Sequence, residues 1–149
     1  MLIRNSVSAV VTALAFAIPA AAVQAQDAAT TEKWQSVAKT DNQEAFVNTS
    51  SIKTVNGQIE ARVKQNFAQP QQSAKKDKTY LSARSTYRFD CAQRRVGMKE
   101  LRAYPAADLK GDVVQKATSS DKNLTWVDAQ KATVFGEVLD YVCGRTSGG

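Results

Sequence analysis

The chain has 149 residues, with 20 Lys and Arg against 14 Asp and Glu, two cysteines and no histidine, for a net charge of +6. The missing histidine excludes Ser-His and Cys-His catalytic pairs, and two cysteines fall short of the about four ligands of a structural zinc site. G-x-G-x-x-G and P-loop strings are also absent. The expectation is a protein that is not an enzyme and uses neither metal nor cofactor.

In chain order, the first element is a targeting segment. Arg4 precedes an apolar run from Val7 to Ile18, broken only by Ser8 and Thr12, and a small-residue stretch ends at Ala25. This pattern predicts a signal peptide over residues 1–25, cut before Gln26. Its apolar core is short for a membrane span, which takes about 20 residues. The remaining 124 residues are enough for one domain. Residues 26–32 are small and polar and are expected to form a flexible lead-in. Two β-prone runs follow around Trp34, Val37, Phe46 and Val47, with a turn at "TDNQ" between them. "NTSSIKT" suits a turn or a single helical turn, and Asn56-Gly57 signals a hairpin.

The next two runs alternate with period two. In "QIEARVKQNFA", Ile59, Ala61, Val63 and Phe67 share one parity, and Glu60, Arg62, Lys64 and Asn66 the other. In "YLSARSTYRFDC", Leu81, Ala83, Tyr87, Phe89 and Cys91 share a parity against Arg84, Thr86, Arg88 and Asp90. Both are half-buried strands, with Cys91 expected to face the core and the arginines water. "QPQQSAKKDK" between them reads as an exposed, mobile hairpin loop. In "RRVGMKELRAYP" the parity breaks: Val96, Met98 and Tyr104 agree, while Leu101 and Ala103 oppose them. A bulge between Gly97 and Glu100, or a strand buried on both sides, accounts for the break. "DVVQKATS" is a shorter strand, and "SDKNLTWV" a turn leading to Trp126. Val134, Phe135, Val138, Leu139 and Val142 then mark the apolar face of a helix. Gly144 is its expected terminator, and residues 145–149 are expected to be a loose tail. Gly136 inside it is read as allowing close packing on the sheet. The two tryptophans read as core or core-edge residues.

In an exported domain of this size, two cysteines read as one disulfide, Cys91 to Cys143. It ties the end of a central strand to the last turn of the helix. The predicted class is therefore α+β, an antiparallel sheet of five to six strands packed by one C-terminal helix.

The charge is concentrated. Residues 75–102 carry nine basic side chains (Lys75, Lys76, Lys78, Arg84, Arg88, Arg94, Arg95, Lys99 and Arg102) against Asp77, Asp90 and Glu100. If the two long strands of this segment pair, the result is a cationic face suited to acidic partners, among them lipopolysaccharide phosphates, glycosaminoglycans and acidic protein patches. The plainer reading is a solvated sheet face whose lysines discourage aggregation. Nucleic acid is not expected as a partner outside the cytoplasm. Asp90 is expected to orient the local backbone or to pair with Arg88 or Arg94.

The ordered set of Trp34, Phe89-Asp90-Cys91, the tyrosine-bearing strand at Tyr104, Trp126 and an amphipathic helix ending at Cys143 resembles the surface-adhesin protein E family of Gram-negative bacteria. The likeness runs over most of residues 33–144. It implies an antiparallel sheet, a C-terminal helix, a cysteine pair, and adhesion to host matrix and serum proteins. The family's adhesin is anchored by a lipidated cysteine, and no cysteine follows the apolar run here. A periplasmic or secreted location is therefore expected, with a periplasmic accessory or structural role as the alternative to adhesion.

Overall fold

The computed structural model describes residues 31–146. The signal peptide, most of the lead-in and the last three tail residues lie outside the described residues. The strands are β1 (Trp34–Lys39), β2 (Gln43–Asn48), β3 (Lys53–Val55), β4 (Gln58–Gln72), β5 (Thr79–Asp90), β6 (Arg95–Tyr104), β7 (Gln115–Thr118) and β8 (Trp126–Asp128), followed by α1 (Val134–Thr146). They form one antiparallel sheet in the order β1-β2-β4-β5-β6-β7, with β3 paired to β4 and β8 to β6. The sheet has eight strands rather than five or six. The additional β3 and β8 are three residues each, too short for alternation to register.

Alternation sets the two faces. Ile59, Ala61, Val63, Tyr87, Phe89 and Val96 are buried on the face under α1, which contributes Val134, Val138, Leu139 and Val142. Ala38, Ala45 and Ala61, each 3% exposed or less, keep that face shallow where the helix lies. Asn56 (φ 51°) and Gly57 (φ 77°) both take the left-handed conformation that a two-residue hairpin between β3 and β4 requires. In the next strand pair, Thr86 faces Glu100 and Tyr87 faces Met98, so Lys99 is the extra residue of a bulge. This bulge lies within the expected Gly97–Glu100 interval. It lets Val96 and Met98 share the inner face with Leu101 and Ala103, and it turns Tyr104 outward.

Several expectations are corrected. β4 continues through Gln72, pairing Gln71 with Tyr80 and Gln72 with Thr79, so the hairpin turn is shorter than the composition suggests. The turn is tied by Gln72 Nε2, which donates to the carbonyls of Lys76 and Lys78. Cys91 does not face the core. β5 ends at Asp90, whose Oδ1 accepts from Gln93 N at 3.0 Å, and Cys91 is an exposed residue of the turn that follows. From there it bonds Cys143, with the Cα atoms 5.9 Å apart. The helix passes Gly144 and takes in Arg145 and Thr146, residues expected in the loose tail.

Gly136 serves the loop before the helix rather than the sheet. A Cβ there would lie 2.0 Å from the Gln130 carbonyl oxygen, in a turn where Thr133 Oγ1 donates to that carbonyl and accepts from Gly136 N. Gly136→Ala is expected to destabilise the protein by about 1–3 kcal/mol through overpacking, although alanine is the better helix former. Urea unfolding of the variant checks this, and a stabilised variant contradicts the assigned contact.

Candidate functional site

The basic segment does not form one uninterrupted cationic surface. Lys75, Lys76 and Lys78 stand exposed on the β4–β5 turn. The other six are each paired with a carboxylate. Arg84 NH1 lies 3.3 Å from Glu32, Arg94 bonds Asp140 on α1, Arg95 NH2 lies 3.1 Å from Asp90, and Arg102 Nε lies 2.7 Å from Glu100. Asp90 thus pairs with Arg95, not with Arg88 or Arg94. Arg95 also sits 5.3 Å from the Trp126 ring, which packs over Gly97.

Arg88 departs most from expectation. It was expected to face water, yet it is 3% exposed. Register explains this, because Glu60 on β4 faces Arg88 on β5 directly. Arg88 Nε donates to Glu60 Oε2 at 2.9 Å and its NH2 to Asp121 Oδ2 at 3.2 Å. Lys99, brought to the same face by the bulge, reaches Glu60 at 3.2 Å and Asp121 at 2.9 Å. Lys53 closes on Glu60 from β3 at 3.1 Å. Burial pushes the Glu60 carboxyl up, but hydrogen bonds from Arg88, Lys53 and Lys99 outweigh it and hold the pKa at about 2. Asp121 is lowered chiefly by its hydrogen bond from Lys99, and Lys99 is raised by the same bond. A cavity of about 490 Å³ opens beside this network, between Glu60, Thr86, Lys99 and Asp121.

The outer face also holds cations the sequence reading left out. Lys64 faces Arg84, Arg84 faces Arg102, and Arg102 faces Lys116, forming one row across four strands. Like charges in directly opposed positions repel, so the row depends on acids brought from elsewhere. Asp108, in the left-handed conformation (φ 55°) of the β6–β7 connection, holds Lys64 at 3.0 Å and Asn66 at 2.7 Å. Lys64 Nζ also lies 4.3 Å from the centre of the Phe46 ring. Lys116 is exposed and, like Lys75, Lys76 and Lys78, pairs with no carboxylate among the described residues. These lysines belong to one end of the sheet. Ala74 N donates to Gln115 Oε1 at 2.8 Å, and Lys75 and Lys116 line a common cavity of about 370 Å³.

The inner face offers a different surface. α1 lies against β1 and, to a lesser extent, β2, β4 and β5, and beside its N-terminus Tyr87, Val96, Met98, Val127 and Phe135 line an apolar cavity of about 500 Å³. No group of acids and cysteines among the described residues is arranged to hold a metal, and no helix among them is long and apolar enough to cross a membrane.

A single antiparallel sheet, packed by one disulfide-tied C-terminal helix and bearing an ion-paired open face, defines a small α+β module. The family model for the surface-adhesin protein E matches residues 34–144, and the chain belongs to that family. Two solved structures of Haemophilus influenzae protein E share the fold. One is 13% identical, with a TM-score of 0.55, 76% of this chain and 89% of that chain covered. The other is 13% identical, with a TM-score of 0.52 and coverages of 75% and 84%. No curated protein sequence matches the chain significantly.

Proposed function

We propose that this chain is an exported, non-enzymatic binding module that engages acidic ligands through the lysine-bearing end of its sheet. The observation that carries this is the contrast within one charged segment. Six of its cations are neutralised by the protein's own carboxylates, while Lys75, which shares a cavity with Lys116, and Lys76 and Lys78 on the same turn are exposed without a carboxylate partner among the described residues. Family membership supports an adhesive role toward host matrix or serum proteins. The lysine cluster equally suits lipopolysaccharide phosphates or sulfated polysaccharides. The predicted signal peptide supports a periplasmic or secreted location. A second reading rests on the six paired cations, which make most of the charged face structural and suit a periplasmic accessory protein with no adhesive role.

Heparin and lipopolysaccharide binding by the mature protein tests the proposal. The Lys75→Gln, Lys76→Gln, Lys78→Gln, Lys116→Gln variant is expected to bind at least about tenfold more weakly, and the wild-type interaction is expected to fade as salt rises. Lysine-to-arginine changes at the same positions are expected to retain it. Charge reversal at Arg88 is no substitute for this test, because its buried guanidinium supports the fold. Binding unchanged in the quadruple glutamine variant removes the lysine end as the ligand surface and favours the second reading.

A further inference from the structure

The first described residues do not run free of the domain. Glu32, expected to end a flexible lead-in, places its carboxylate on the outer face. Its Oε1 accepts from Arg62 NH1 at 2.9 Å and from Arg84 NH1 at 3.3 Å. The two arginines stand on adjacent strands, since Lys64 faces Arg84 and Thr86 faces Arg62. They thus converge on one carboxylate oxygen, each through a single charge-assisted N–H bond.

What holds Glu32 there is slight. Backbone pairing begins one residue later, where Lys33 O accepts from Thr49 N at 2.9 Å and Lys33 N donates to Asn48 Oδ1 at 3.2 Å. Before that point the described contacts are the two arginine bonds and a 3.5 Å hydrogen bond from Ser50 Oγ to Thr31 O. The ion-paired side chains keep 39%, 28% and 27% of their surface for Arg62, Arg84 and Glu32, and pairs this exposed contribute little. The site also continues beyond Glu32. A cavity of about 260 Å³ adjoins Arg62, lined by Ser50, Ile52, Lys53, Thr86 and Glu60, whose charge is held by Arg88, Lys53 and Lys99.

We propose that Arg62 and Arg84 form a binding site for the side-chain carboxylate of an acidic peptide segment, and that Glu32 occupies this site in the free protein as a displaceable internal ligand. The proposal rests on the reading of the chain as a binder of acidic partners, and it places a specific carboxylate site two strands from Lys116 in the same outer-face row. Because the bound and self-occupied states exclude each other, the affinity for a partner is reduced by the fraction of molecules in which Glu32 is seated.

The experiment measures binding of a fluorescein-labelled hexaglutamate peptide to the mature protein by fluorescence anisotropy. Glu32→Gln is expected to tighten binding by about fivefold. The gain is expected to vanish when Arg62→Gln and Arg84→Gln are added, and to persist when Lys75, Lys76 and Lys78 are changed to glutamine. An unaltered affinity in Glu32→Gln, a gain that survives loss of both arginines, or no binding by either protein overturns the proposal. An equal gain for a sulfated heparin hexasaccharide overturns the carboxylate assignment in favour of a general anion site. If Glu32→Gln has no effect while the lysine variant loses the peptide, this inference fails and the lysine-end reading stands. The opposite pattern keeps the arginine site and removes the lysine end.

Discussion

Replacing both Cys91 and Cys143 with serine is expected to remove about 4 kcal/mol of stability and to lower the melting temperature by roughly 15 °C. The bond joins residues 52 apart in sequence, so its loss frees a long segment of the unfolded chain that the cross-link otherwise confines. That segment contains β6, β7, β8 and α1. The helix is then held on the sheet only by packing of Val134, Val138, Leu139 and Val142 against residues such as Val47, Val63, Tyr87 and Phe89. Thermal unfolding followed by circular dichroism, with the wild type run with and without reductant, measures the effect. Reduced wild type and the double-serine variant are expected to melt together. A shift under about 3 °C would show that α1 docks without its tether and that the bond contributes little to the fold.

The second large effect concerns Glu60. Its carboxylate accepts from Arg88, Lys53 and Lys99 while only 12% exposed, and its pKa in the folded protein is about 2. The folded carboxyl is a stronger acid than the unfolded one, so protonation favours unfolding. Its contribution is complete above about pH 4.5 and disappears as the pH falls toward about 2. The size of the shift corresponds to about 3 kcal/mol. Glu60→Gln is therefore expected to be about 3 kcal/mol less stable than wild type at pH 7, because it leaves Arg88 buried with Asp121 as its remaining partner. The difference is expected to close at about pH 2. Urea unfolding of both proteins between pH 7 and pH 2 gives the comparison. A difference that stays constant across that range would mean Glu60 acts through packing and not through its charge. Aspartates 90, 108, 121 and 140 are also lowered by their hydrogen-bond partners, so the wild type should lose further stability in acid beyond the part that Glu60→Gln abolishes.

These two effects draw on different levels of the molecule. Both cysteines, the period-two strands and the helical face were legible in order along the chain, because each is a local pattern that any neighbour on the core side satisfies. The parity break past Met98 was legible too, with a bulge between Gly97 and Glu100 as one of two explanations, and the strand register placed the bulge at Lys99. The orientation of Cys91 was misread where the same rule was carried one residue too far. Asp90 ends the strand by bonding the backbone of Gln93, and no alternation reports where a strand stops.

The candidate site was legible only in part. The cations of residues 75–102 were visible as a cluster, but which of them stay unpaired was not. Glu60, Arg62 and Lys64 were readable as the outward parity of β4, and pairing β4 with β5 would have set them against Arg84 and Arg88. No comparable signal marked Asp108, Asp121 or Lys116. Glu32 sat in a stretch whose composition suggested only flexibility.

From the sequence alone came the α+β class, the cysteine pairing, the family and the location of the basic segment, because hydrophobic period and residue type are properties of neighbouring positions. The tertiary structure alone decided that Arg88 is buried, that Glu32 lies between two arginines, and that four lysines remain open at one end of the sheet. Electrostatic neutralisation depends on distances of about 3–4 Å between residues remote in the chain, and only strand register and loop path bring such residues that close.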